Sequence, residues 1–437
     1  MNKEQILWAD DEIDLLKPHI LFLQNKGYEV TTVTNGRDAL DAISQQNFHL
    51  IILDENMPGI SGLEALQQIK IAQPNVPVIM ITKSEEENIM NQAIGSEIAD
   101  YLIKPVNPMQ ILLSIKKNLH SEALVAQKAT SDYQQEFMSI SQQIAMARTI
   151  DDWYQLYNTL VRWELTLSNA ETGMADMLRM QKQEANSAFA KMVKRNYEKW
   201  VTTDDHPLMS NEIFKTQIFP HIDAGEKVCF IVIDNFRLDQ WRTISPLLND
   251  YFNIEKEELY TTILPTATQY ARNAIFSGLM PIDIERMFPE LWVDEDEDEG
   301  KNLNEAPLIQ TILDRYRRKC KFSYNKLNDS AAGERLVQHF AQLKNFDLNV
   351  IVFNFVDILS HARTESKMIR ELAYTDEAYR SLTVTWFKNS YVLEIFKRIA
   401  EQGWKIVLTT DHGTTRVDNA IKVIGDKNTK TEDRKSV

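Results

Sequence analysis

The sequence predicts an α/β protein, with one α/β domain over residues 1–120, a helical bundle over 121–225 and a second α/β domain over 226–437. Three observations predict it. Short apolar runs, such as residues 50–53 and 228–233, alternate with amphipathic stretches toward both ends of the chain, the pattern of parallel strands buried between helices. Between these parts the strand signals disappear, and the good helix formers Gln, Glu, Ala, Met and Lys dominate. In both outer parts the apolar runs end on carboxylates, hydroxyls or imidazoles, and doubly wound sheets bind ligands at the carboxyl ends of their strands.

Composition narrows the function. The chain of 437 residues can hold two or three domains with sizeable cores. A net charge of −15 argues against a large non-specific DNA-binding surface, which needs Lys and Arg for phosphates. It leaves room for a small nucleotide held by metal ions. Two cysteines, Cys229 and Cys320, cannot make a disulfide framework, which suits a reducing compartment. With no signal-peptide pattern and no apolar run of membrane-spanning length, the expectation is a cytoplasmic protein without membrane insertion.

In the first domain, strands are expected at residues 5–8, 28–33, 50–53, 78–81 and 101–103, with helices at 15–26 and 36–45. The strand ends then bring Asp10, Asp11, Asp54, Thr82 and Lys104 to one edge. Three carboxylates beside a lysine suit a hard cation such as Mg²⁺, which bridges carboxylate and phosphate. Asp54 could accept a phosphoryl group as an acyl phosphate, with Thr82 bonding its oxygens and Lys104 offsetting their charge. A solvated acidic rim would explain one or two of these residues, not five in order.

These residues carry a resemblance. With Asp10-Asp11, Asp54 in LDENMPGISGLEAL, Thr82, Tyr101 and Lys104-Pro105 in place, the domain resembles a flavodoxin-like two-component receiver over its full length. The resemblance implies phosphorylation of Asp54 by a sensor histidine kinase, Mg²⁺ on Asp10, Asp11 and Asp54, and a cis peptide before Pro105. It also implies a switch through Thr82, Tyr101 and Lys104, and dimerisation on phosphorylation.

In the linker, Trp153, Leu156, Leu160, Trp163 and Leu167 form an apolar stripe, capped by Thr149 or Asp151. A weaker stripe follows through Met177, Gln181, Ala185, Ala188 and Met192, and a final helix is expected to reach Phe219. The stripes read as bundle packing. No helix-turn-helix with a basic recognition helix is visible, which leaves the C-terminal part as the effector.

There, a strand at 228–233 ends at Asp234, with a helix beginning around Leu238, and a strand-like run at 261–264 leads through Pro265 to Thr266 and Thr268. A helix should follow to Ser277-Gly278. A hydroxyl at a helix N-terminus lies beside unpaired N–H groups that favour phosphate, although Thr is also an ordinary N-cap. The acidic run 294–299 suggests a solvated loop, with Ca²⁺ a distant alternative, and 302–345 look mostly helical, with the basic patch 315–321 exposed. A strand over 350–355 leads to Asp357 and His361, spaced to share one helix face and one metal. A last strand, 405–409, ends at Thr410-Asp411-His412-Gly413. Carboxylates mixed with imidazoles suit Zn²⁺ or Mn²⁺ better than Mg²⁺, and two such ions would clamp an in-line displacement at phosphorus.

This part resembles the PglZ-type branch of the alkaline phosphatase superfamily. The resemblance implies two Zn²⁺ ions: one on Asp234, Thr268, Asp411 and His412, the other on Asp357 and His361. It favours Thr268 over Thr266 as nucleophile and makes Arg272 and Asn273 candidates for contacting phosphate. The superfamily supplies a further histidine beyond the Asp-His pair, and none follows His412 in the sequence, so either the chain is truncated or interrupted there, which is the expectation, or the second metal site is weak. Receiver, bundle and PglZ-type domain together resemble the PorX-type response regulators associated with type IX protein secretion. From that come the expected partners and substrate: an extracytoplasmic-function sigma factor, and small or cyclic oligonucleotides for a phosphodiesterase. The alternative is a phosphorylation-controlled binding module without relevant catalysis.

Overall fold

The computed structural model describes residues 3–83, 94–95, 98–168, 172–293 and 302–414. The acidic run 294–299 and the polar tail 425–437 lie outside the described residues. The chain folds as two compact units, residues 1–132 with 169–171, and 133–168 with 172–437.

The first unit holds a five-stranded parallel sheet ordered β2-β1-β3-β4-β5. Its strands are β1 (Gln5–Ala9), β2 (Glu29–Val33), β3 (Leu50–Asp54), β4 (Val78–Thr82) and β5 (Asp100–Ile103). β3 and β4 are buried at every position, because side chains that alternate across a pleat meet helices on both faces. Leu7, Ile51, Leu53 and Met80 pack toward α2 (Gly36–Gln45) and α3 (Gly62–Ala72). Ile6, Trp8, Ile52 and Ile81 pack toward α1 (Lys17–Asn25) and the start of α4 (Pro108–Met146). The peptide before Pro105 is cis, as expected.

α4 continues into the second unit, where α5 (Ile150–Thr166) and α6 (Thr172–Thr202) follow. Thr149 caps α5 with Asp152 in a reciprocal capping box. All five members of the α5 stripe are buried. Gln181, polar within the α6 stripe, is satisfied by the Tyr133 hydroxyl at 2.8 Å, the Phe137 carbonyl at 2.9 Å and Ser141 Oγ at 2.8 Å. A buried amide with all these partners costs little and fixes the helix register.

The effector sheet is parallel and ordered β7-β8-β6-β9, with β6 (Val228–Ile233), β7 (Phe322–Leu327), β8 (Leu348–Phe353) and β9 (Lys405–Thr409). One face packs on α9 (Thr268–Ser277) and α11 (Glu305–Arg315). The other packs on α15 (Asp376–Asn389) and α16 (Tyr391–Glu401). Here α7 is Phe219–Asp223, α8 Leu238–Ile244, α10 Pro281–Met287, α12 Ser330–Gln338, α13 Phe355–Glu365 and α14 Lys367–Leu372.

The structure corrects four expectations. Residues 261–264 form no strand beyond a single bridge from Thr261 to Met209. Their N–H groups go elsewhere, Ile263 to Ser210 Oγ at 3.1 Å and Leu264 to the Tyr197 hydroxyl at 2.7 Å. The helix expected to reach Phe219 is a wide π-helical turn, Phe214–Ile218, before α7; Pro220 has no N–H to continue an i→i−4 ladder. Within 302–345, residues taken as helical form edge strand β7, whose alternation of Ser323 and Asn325 with Tyr324 and Lys326 is masked by its polarity. The basic patch is only partly exposed: Arg315 bonds the Ser277 carbonyl and Arg318 reaches Asp223 at 2.7 Å.

Gly62 opens α3 against the end of β3. A Cβ there would press on the Asp54 carbonyl oxygen and lie 2.8 Å from Glu55 Cα. Backbone atoms cannot retreat as a flexible side chain can, so Gly62→Ala should destabilise the receiver by about 1–3 kcal/mol. A denaturant midpoint equal to that of the unchanged protein would show that α3 can shift at no cost.

Candidate functional site

Both sheets end in clusters of charge, and each cluster is built by strand termini. In the first, Asp10 follows β1, Asp54 closes β3 and Lys104 follows β5. Ligand atoms of Asp10, Asp11 and Asp54 lie within 4.8 Å of one another. Lys104 Nζ stands 2.9 Å from Asp10 Oδ2 and 3.2 Å from Asp54 Oδ2. Asp10, Asp54 and Thr82 are buried, and Asp11 is exposed. Tyr101 is half-buried on β5, against the α2–α3 side of the core. Burial, then the charge of Asp10, pushes the Asp54 carboxyl up to about 6 against the pull of Lys104. Asp54 Oδ1 accepts no hydrogen bond. A buried anionic oxygen left open beside two further carboxylates fits a divalent cation.

In the second unit, Asp234 follows β6 and Asp411-His412 follow β9, and their ligand atoms also lie within 4.8 Å. Thr268 is the first residue of α9. Its helix has Ala267 at the N-cap and no capping side chain. The Thr268 hydroxyl therefore does not serve as a cap; it lies 3.3 Å from Asp234 Oδ1 and 3.0 Å from His412 Nε2. Thr266 is exposed. Asp411 is fully buried, and its Oδ2 accepts no hydrogen bond. Burial, then the charge of Asp234, pushes the Asp411 carboxyl well up from its ordinary value. These atoms fit a metal ion, which would supply the missing positive charge.

Asp357 and His361 stand one turn apart on α13, with His361 Nε2 3.5 Å from Asp357 Oδ2. They share a face as the spacing predicts, but His361 is 69% exposed and outside the tight cluster. Asn235 links Asp357 to it, its Nδ2 donating to Asp357 Oδ1 at 3.1 Å.

Arg272 corrects another expectation. It does not face an open phosphate pocket but is 1% exposed, with its guanidinium on Asp234 Oδ2 at 2.7 Å, on Glu305 Oε1 at 2.5 Å and 3.7 Å from Asp411 Oδ2. Asn273 is also buried. Glu305 holds the far side of Arg272, and the Tyr324 hydroxyl and Lys326 Nζ (3.2 Å) hold Glu305. The sequence offered no signal for Glu305 or Tyr324, since neither lies at a strand end.

A groove of about 1320 Å³ reaches Asp411 and His412. Tyr154 and Tyr157 of α5, Lys182 of α6 and Trp241 of α8 line it.

Residues 6–116 match the response regulator receiver domain, 123–201 the PorX response regulator linker domain, and 213–437 the BREX system PglZ alkaline phosphatase-like domain. The chain belongs to the PglZ family. It joins a receiver and a PorX-type linker to an alkaline phosphatase-like effector, and a receiver implies a sensor kinase as partner. The transcriptional regulatory protein ResD of Bacillus subtilis is 32% identical over 115 residues, 26% of this chain and 48% of that protein. The alkaline phosphatase synthesis transcriptional regulatory protein PhoP of Bacillus subtilis is 29% identical over 168 residues, 38% of this chain and 68% of that one. The chain thus spans about half the length of ResD. Chemotaxis protein CheY4 of Vibrio cholerae aligns at 28% identity over 27% of this chain and 100% of its own, with a TM-score of 0.26. Among the described residues, no helix is long and apolar enough to cross a membrane.

Two outcomes follow from the buried charges. Arg272→Met would leave Asp234 buried without its cation and Glu305 with Lys326 alone, which costs about 3–5 kcal/mol; the denaturant midpoint should fall accordingly, and an unchanged midpoint would contradict the pairing. For Asp54 the folded pKa of about 6 lies above its ordinary 3.8. Its burial penalty is absent below pH 3.8, grows as pH rises, and is complete above about 6. Metal-free Asp54→Asn should therefore melt higher than the unchanged chain at pH 7.5, by on the order of 2 kcal/mol, and lose that advantage near pH 4. A difference constant across this range would contradict the assignment.

Proposed function

We propose that this chain is a response regulator phosphorylated on Asp54, whose effector domain is a Zn²⁺-dependent phosphodiesterase. The observation that carries it is the Thr268 hydroxyl at the uncapped start of α9, in reach of both Asp234 and His412. In the domain division we propose, residues 1–120 are the receiver, 121–225 the linker and 226–437 the effector. In the receiver, Asp10, Asp11 and Asp54 would hold Mg²⁺, Lys104 would offset the phosphoryl charge, and Thr82 and Tyr101 would relay the change.

In the effector, Asp234, Thr268, Asp411 and His412 would hold one Zn²⁺, and Asp357 with His361 the other. Bound there, the ions supply Lewis acidity and lower the pKa of a threonine hydroxyl. The chain's own residues do the rest. Asp234 and His412 orient Thr268 Oγ1, while the positive end of the α9 helix dipole favours a phosphate oxygen there. Arg272 places its positive charge between Asp234, at 2.7 Å, and Asp411, at 3.7 Å. The PorX-type resemblance extends this to small or cyclic oligonucleotide substrates, regulation of type IX secretion, an extracytoplasmic-function sigma factor as partner, phosphorylation-dependent homodimers and a cytoplasmic site of action.

Purified protein with Zn²⁺ should hydrolyse a bis-nitrophenyl phosphodiester, and chelation should stop it. Thr268→Val should lower kcat by about three orders of magnitude or more, as loss of a nucleophile does. Equal, negligible rates for both proteins with metal bound would instead support a binding module. An acyl-phosphate mimic should change the rate of the unchanged chain and not of Asp54→Ala; a rate indifferent to both would remove the gating.

A further inference from the structure

Asn235 follows Asp234 directly, and its contacts set it apart from every other residue around the cluster. Its φ is +59°, in the left-handed region that Asn tolerates better than most residues. In that conformation its backbone N–H turns to Asp411 Oδ1 at 3.3 Å, while its side-chain Nδ2 donates to Asp357 Oδ1 at 3.1 Å. Its Oδ1 accepts from the Thr414 hydroxyl at 2.5 Å. A carboxylate can only accept, so the amide nitrogen must be the atom facing Asp357, and the orientation of the side chain is fixed. The residue is 5% exposed, so water does not readily replace these bonds.

The division of labour on Asp357 gives the inference its content. Oδ1 is taken by Asn235, and Oδ2 faces His361 Nε2 at 3.5 Å. One oxygen is anchored and the other is left beside an imidazole nitrogen, which is the arrangement of a ligand pair with one outer hydrogen-bond partner. Asp357 comes from α13 and Asp411 from the loop after β9, and among the described residues Asn235 is the one whose hydrogen bonds reach both. We propose that Asn235 is a positioning residue that sets the spacing of the two metal half-sites, holding Asp357 to the α13 site and Asp411 to the α9 site. The inference rests on the two-metal assignment above. Phe236 reinforces it, since its N–H donates to Thr410 Oγ1 at 2.9 Å and pins the same turn to the same loop.

Two substitutions separate the side chain from the backbone. Asn235→Gly keeps the left-handed conformation and removes the amide; Asn235→Ala removes the amide and strains the turn. The experiment is Zn²⁺ titration of the full chain against a chromophoric chelator, with bound metal counted after desalting. The unchanged chain should bind two ions in the effector domain, a count taken with the receiver acids replaced (Asp10→Asn, Asp11→Asn, Asp54→Asn) so that they do not contribute. Asn235→Gly should keep one ion at its original affinity and bind the other at least tenfold more weakly, the usual effect of removing an outer partner. Adding Asp357→Ala to Asn235→Gly should weaken that second ion by less than the two single effects multiplied, because the two residues act through one bond. Two ions held by Asn235→Gly as tightly as by the unchanged chain would overturn the inference and leave the enzyme assignment standing. Equal weakening of both ions would overturn it too, since that is what general loosening produces. No ion bound by the unchanged chain would overturn the two-metal assignment and the inference with it. If Asn235→Ala melts far lower while Asn235→Gly does not, the Gly variant alone decides.

Discussion

The effector domain depends on one buried cation. Arg272 lies between Asp234 and Glu305, with Asp411 at 3.7 Å, and without it three carboxylates would be buried around a shared centre. Burial of an ion pair is costly unless the geometry is good and the remaining lone pairs are met. Here Glu305 is met by Tyr324 and Lys326 as well, so the charge is distributed along a chain that crosses from α9 through α11 to β7. Negative charge remains in excess at Asp411, whose carboxyl is pushed up by burial and then by the charge of Asp234, and whose Oδ2 accepts no hydrogen bond. The same imbalance that costs stability creates affinity for a metal.

The receiver solves the problem in the same way at smaller scale. Lys104 stands between Asp10 and Asp54, and Asp54 keeps one oxygen open. In both units a parallel sheet delivers acids from neighbouring strands to a common edge, and fewer cations than acids are supplied to neutralise them. The sheets differ in what joins the acids. Lysine is a flexible point charge at the receiver edge, whereas the planar guanidinium of Arg272 forks between carboxylates within the core.

Linker helices and effector domain share the second unit; Trp200 of α6 packs with Ile263, Tyr270 and Ala271, and polar contacts add to this. Glu164 of α5 accepts from Arg380 of α15 at 2.8 Å, and Arg380 also reaches Asp239 of α8 at 3.1 Å. Arg237, two residues beyond Asn235, pairs with Asp239 and Asp376. Tyr154 meets Thr261 at 2.7 Å, just before the segment that leads to Thr268. The linker thus touches the chain on both sides of the cluster, after Asp234 and before Thr268.

Much was legible in the sequence for definite reasons. Strands buried on both faces must be apolar throughout, so β3, β4, β6 and β8 declared themselves, and the residue after each run marked the sheet edge where ligands gather. Spacing placed Asp357 and His361 on one helix face, and the α5 stripe and its Thr149 cap followed from a period of 3.6. Tertiary structure alone decided what those residues meet. Edge strand β7 hid because a strand paired on one side can be polar, and residues 261–264 looked like a strand but gave their N–H groups to side chains of Ser210 and Tyr197. A pattern of residue types cannot show whether an arginine points to a ligand or into a core, so Arg272 was read as a phosphate contact when three carboxylates enclose it. Local sequence fixes period and chemistry; the partners of a buried charge come from segments far along the chain, and only the fold brings them together.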